Sequence, residues 1–79
     1  MERESKSASE IQAEVQRLID ADRDVIADGK HVKAGRPMPY PQPDDTGCNW
    51  YIKSSRNARG HEGTLGRAIE SVRQKWNLK

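Results

Sequence analysis

Phenylalanine is absent from the 79 residues, and two Trp and two Tyr make up the whole aromatic complement. A core without Phe must come from Ile, Val, Leu and the two indoles, so Trp50 and Trp76 are its expected anchors. One cysteine, Cys48, excludes an intramolecular disulfide and suits a reducing compartment. No stretch approaches the ~20 apolar residues that a membrane span needs, and the start, Met1-Glu2-Arg3-Glu4-Ser5-Lys6, has no apolar core of a secretion signal. The expectation is a cytoplasmic chain without membrane contact. Hydrophobic and charged residues each make up 33%, with a mean hydropathy of -1.04. Such a chain builds one small domain at most, with a thin core that oligomerisation would reinforce.

The usual chemical motifs are missing as well. A closed zinc site wants four ligands in close pairs, whereas Cys48, His31, His61 and Asp44-Asp45 have no such spacing, so neither metal nor cofactor is expected. Gly60-His61-Glu62-Gly63-Thr64-Leu65-Gly66 has three glycines, but neither the Gly-Lys-Ser/Thr ending of a P-loop nor a dinucleotide fingerprint. An enzyme centred on Cys48 and His61 would need the fold to bring them together, and Cys48 falls where strand alternation predicts burial. The expected protein is therefore not an enzyme.

What is present begins with prolines at every second position: Pro37, Pro39, Pro41 and Pro43. In an extended strand these four remove the N–H donors along one edge and leave Met38, Tyr40 and Gln42 able to pair along the other. The segment reads as an edge strand that resists pairing with another chain, or as a free extended linker. Groove-binding domains want prolines three apart, and no pair here has that spacing.

Charge is the second signal. The net +2 conceals four basic against eight acidic residues over 1–28, three against two over 29–52, and seven against two over 53–79. This layout lets the two ends attract within one fold, drives an antiparallel dimer, or offers the C-terminal third to a polyanion.

The expected fold class is α+β. Overlapping capping boxes at Ser7/Glu10 and Ser9/Gln12 start a helix over residues 9–28, with Ile11, Val15, Leu18, Ile19, Val25 and Ile26 on its apolar side and Gly29 as the stop. Residues 1–8 read as a disordered tail before a single domain of 9–79. Segments 31–34, 37–42 and 48–53 form a two- to three-stranded antiparallel sheet, the first pairing with the proline strand as a hairpin. Alternation buries Cys48, Trp50 and Ile52 and exposes Asn49, Tyr51 and Lys53. Residues 54–63 read as a loop. Thr64 caps a second helix over 64–77 with an apolar side of Leu65, Ala68, Ile69, Val72 and Trp76, packed on the same sheet face as the first. The expected core is Ile11, Val15, Leu18, Ile19, Ile26, Val32, Trp50, Ile52, Leu65, Ile69, Val72 and Trp76.

In element order alone this arrangement resembles the double-stranded-RNA-binding domain. That family's lysine-rich second-helix start has no counterpart in Thr64-Leu65-Gly66-Arg67, and the first helix here is acidic, so the resemblance implies no membership.

Two functional readings follow. Small size, bipolar charge and the missing catalytic motifs point first to a non-enzymatic protein-interaction module that self-associates through its acidic helix and basic C-terminal region. The alternative is a nucleic-acid-binding module using the strand, loop and helix of 51–67, with Tyr51, Lys53, Arg56, Arg59, His61 and Arg67 as the candidate anion contacts. On the second helix, Arg67, Arg73 and Lys75 fall near about 200°, 80° and 280° from Leu65, which is no single stripe. Strand and loop are therefore the better contacts.

Overall fold

The computed structural model describes residues 4–29 and 31–79. These residues make an α+β fold of six short strands and three helices: β1 Glu4–Lys6, α1 Ala8–Asp20, α2 Arg23–Asp28, β2 Lys33–Ala34, β3 Pro37–Pro39, β4 Trp50–Ile52, β5 Ser55–Arg56, α3 Glu62–Arg73 and β6 Trp76–Leu78.

Helix α1 starts on the first of the two capping boxes. The Ser7 hydroxyl accepts from the Glu10 N–H at 3.2 Å, and the Glu10 carboxylate accepts from the Ser7 N–H at 3.2 Å. The expected single helix over 9–28 is two helices. Asp22 breaks it by accepting from the N–H groups of Asp24 and Val25 at 2.9 and 3.3 Å, an alternative to continued helical bonding. The break shifts the helical phase, so Val25 turns inward while Ile26, expected in the core, is 64% exposed. Gly29 closes α2 with φ of 68°, a left-handed cap that glycine adopts without a Cβ penalty.

Strands β2 and β3 lie end to end on one side of a two-stranded antiparallel ribbon, with β5 and β4 on the other. Lys33 stands opposite Arg56 and Ala34 opposite Ser55, then Pro37 opposite Ile52, Met38 opposite Tyr51 and Pro39 opposite Trp50. Two residues on each strand, 35–36 and 53–54, separate the halves, so the register is the same on both sides of the break. Gly35 is required at that break, because a Cβ there would lie 1.9 Å from the Ser54 carbonyl oxygen. The prolines behave as an edge. Tyr40, between two of them, donates its N–H inward to the Asn49 carbonyl at 2.8 Å. The expected hairpin of 31–34 with the proline strand is not formed; both segments pair instead with residues 50–56, part of which was expected to be loop.

The chain ends supply the other departures. Residues 4–6 of the expected disordered tail form β1, paired in parallel with β6. Helix α3 begins at Glu62, with Thr64 buried inside it rather than capping it, and stops at Arg73. Trp76, read as part of the helix's last turn, belongs with Leu78 to β6. Two carboxamides stand in for missing strands. Asn49 donates to the Leu78 carbonyl at 2.8 Å and accepts the Leu78 N–H at 2.7 Å. Gln16 donates to the Val32 carbonyl at 2.8 Å and accepts the Ala34 N–H at 2.9 Å, while Gln12 donates to the Ala34 carbonyl at 3.0 Å.

The core lies between α1, α3 and the ribbon. Ile11, Val15, Ile19, Val25, Val32, Ala34, Cys48, Trp50, Ala68 and Val72 are buried, with Leu18, Ile52, Leu65, Ile69, Trp76 and Leu78 packed partly exposed against them. The Trp50 indole N–H donates to the Trp76 carbonyl at 2.9 Å, satisfying the polar end of the largest buried side chain. Among the described residues no helix is long and apolar enough to cross a membrane.

Candidate functional site

Several charges of the helical half are paired within the fold. Glu14 accepts from Arg17 at 2.6 Å and from Lys75 at 2.7 Å, the latter joining the acidic first helix to the chain's far end. These two hydrogen bonds, Arg17 first and Lys75 second, hold the Glu14 carboxyl down at about 2. Arg73 pairs with Asp44 and lies over the Tyr40 ring at 5.8 Å from its centre. The Asp44 carboxyl is held below its usual range chiefly by the Thr46 hydroxyl. Lys6 and Lys75 lie over the Trp76 ring at 5.2 and 4.6 Å from its centre.

The ribbon is the opposite. No Asp or Glu occurs in 31–43 or in 48–61, the two segments that the fold brings side by side. Lys33, Arg36, Lys53 and Arg56 are all exposed, and among the described residues none of the four pairs with a carboxylate. Like charges directly opposite destabilise a ribbon, yet Lys33 faces Arg56 across the strands. On the outward side of the proline half, Met38 is 44% exposed beside Tyr51, and Tyr51 stacks on Tyr40 with ring centres 5.0 Å apart and planes 21° apart. By strand alternation Arg36 and Lys53 continue this side. The result is one surface with two stacked rings, a thioether and two unpaired cations.

Between α1 and the other half of the ribbon lies a cleft of about 760 Å³, lined by Ser9, Gln12, Gln16, Lys33, Ser54, Ser55 and Arg56 among others. A second depression of about 350 Å³ is lined by Gly29, His31, Asn57 and Arg59.

Of the residues singled out by sequence, Tyr51, Lys53 and Arg56 share the ribbon, and Arg59 follows at its end. His61 turns inward. It is 8% exposed, and its Nε2 lies 2.8 Å from the Asp28 carboxylate, so it ties α3 to α2 and is closed to an external anion. Arg67 folds back on the first turn of α3, 3.4 Å from the Thr64 hydroxyl. Cys48 is fully buried with its Sγ 3.4 Å from the Trp50 carbonyl oxygen, so thiol and imidazole are each engaged elsewhere. Among the described residues there is no group of three or more His, Cys, Asp or Glu side chains placed to hold a metal ion.

Lys33 and Arg36 join the site although the basic C-terminal third excludes them. The signal that finds them is the acid-free composition of 31–43, which dividing the chain into thirds conceals. No protein-family model, no curated protein and no solved structure matches the chain.

Proposed function

We propose that the protein is a non-enzymatic nucleic-acid-binding module whose contact surface is the outward side of the ribbon. The observation that carries this reading is the acid-free pairing of 31–43 with 48–61, which leaves Lys33, Arg36, Lys53 and Arg56 with no carboxylate partner among the described residues, Arg36 and Lys53 on the same side as the Tyr40–Tyr51 stack. Phosphates are the anions such unpaired cations neutralise, and aromatic faces accept bases without regard to sequence. Self-association through opposite charge is the weaker reading, because Lys75 already spends its charge on Glu14 within the chain.

The test is an amide NMR titration with short oligonucleotides at 50 and at 200 mM salt. The expected result is shifts confined to 33–40 and 49–56 that fade with salt, and lost binding when Arg36 and Lys53 both become Gln. Shifts on α1 and α2, or binding insensitive to salt, would refute the proposal.

A further inference from the structure

We infer that the ligand is a single strand, and that its backbone passes from the tyrosine surface into the cleft between α1 and the ribbon, where Lys33 and Arg56 hold its phosphates. The inference rests on the nucleic-acid reading above and adds a ligand class and a second contact region to it.

Three observations carry it. The first is the lining of the cleft. Lys33 and Arg56 meet there as a directly opposed pair of like charges, with the hydroxyls of Ser9, Ser54 and Ser55 as further donors, and among the described residues no carboxylate lines the cleft. Gln12 and Gln16 also line it, but their amides are already bonded to the backbone of residues 32–34, so they fix the wall and leave the ligand to the cations and hydroxyls. A phosphodiester supplies the negative charge and the acceptor oxygens that this donor set lacks.

The second is shape. A two-stranded ribbon reads duplex DNA by entering a major groove ≈ 12 Å wide, which requires it to project from the protein. Here α1 stands beside the ribbon, and an open cleft of about 760 Å³ lies between them.

The third is the aromatic pair. Tyr40 and Tyr51 occupy one face of each other's ring and Arg73 lies over Tyr40, so the remaining face of Tyr51 is the one that meets a base, which requires that base to be unstacked, as in a single strand. Tyr51 and Arg56 are five residues apart along one strand of the ribbon, an odd spacing that alternation sets on opposite sides, roughly 17 Å at strand spacing, so the bound strand rounds the ribbon edge to reach both.

The experiment is fluorescence anisotropy of a labelled oligothymidine and of a labelled duplex of equal length, over a salt series, with the full chain and two variants. The parent is expected to prefer the single strand. Lys33→Gln with Arg56→Gln removes two phosphate contacts, so the slope of log affinity against log salt should become shallower by about 1.4, or roughly 25-fold in affinity at 0.1 M salt if the curves meet at 1 M. Tyr51→Ala should weaken binding with the slope unchanged. Both cations are exposed, and an unchanged circular dichroism spectrum verifies that the double variant folds. An unchanged slope in that variant, while the parent binds, overturns the cleft; a preference for duplex overturns the single strand. Failure of the parent to bind either oligonucleotide overturns the nucleic-acid reading itself.

Discussion

The helical half of the molecule and the ribbon treat charge in opposite ways. In the helical half several carboxylates find a nearby base: Glu14 serves Arg17 and Lys75, Asp28 meets His61, and Asp44, in the loop beside α3, takes Arg73. On the ribbon, cations gather with no counter-charge among the described residues, and one pair faces itself across the strands. Charges paired inside a fold contribute to its stability. Cations assembled against their own repulsion cost stability and are available to something outside. The contrast in charge thus separates the part that maintains the structure from the part proposed to bind.

The most severe way to break this contrast is to remove the residue on which both halves rest. Trp50→Ala empties the largest buried side chain and orphans the Trp76 carbonyl, and should cost about 3–5 kcal/mol in urea melts, enough to unfold much of a chain this small. Gly35→Ala attacks the ribbon alone. Its methyl meets the Ser54 carbonyl, so we expect about 1–3 kcal/mol of destabilisation, with amide shifts concentrated at residues 33–37 and 52–56.

The helical half is sharpened by pH. Glu14 has a folded value of about 2 against an ordinary 4.5, so its pairs stabilise the protein above pH 4.5, and that stability is lost as pH falls through about 2. Glu14→Gln should therefore melt below the parent at pH 7, with the gap closing between pH 4.5 and 2. On the ribbon the sign should reverse. Lys33→Gln relieves a like-charge pair and is expected to leave stability unchanged or raise it by about 0.5 kcal/mol at low salt, while reducing affinity for oligonucleotides. Smallest of all, Ile26→Ser should change stability by less than about 0.5 kcal/mol in the same melts, because the side chain already meets solvent.

Sequence patterns revealed the parts of the fold whose causes are local. The capping box at Ser7 and the apolar spacing of Ile11, Val15 and Ile19 specify α1 without outside help. The alternate prolines specify an edge because they delete donors one by one. What stayed hidden depends on distant partners. Val25 and Ile26 are both apolar, so only the competing bonds of Asp22 decide which turns inward. Ser55-Arg56 carries no strand pattern of its own and becomes a strand by facing Lys33-Ala34. Trp76 fits a helical spacing from Leu65, Ile69 and Val72, yet the carboxamide of Asn49 and the backbone of β1 hold its segment extended. The site was half visible for the same reason. Tyr51, Lys53 and Arg56 lie in one basic stretch, whereas Lys33 and Arg36 join them only through strand pairing.

The carboxamides of Asn49 and Gln16 have a consequence for which sequences this fold tolerates. Each presents a donor and an acceptor at once, as a peptide group does, and each spans a strand edge with both. Exchanging the amide nitrogen for oxygen, Asn to Asp or Gln to Glu, keeps the size and removes the donor, setting a carboxylate against a carbonyl. The fold should then accept a shorter neutral side chain at these positions, where water fills in, more readily than the nearly isosteric acid. A slow hydrolysis of Asn49 would have the same effect as that substitution, so chemical ageing at a single atom would loosen the C-terminal strand from the ribbon.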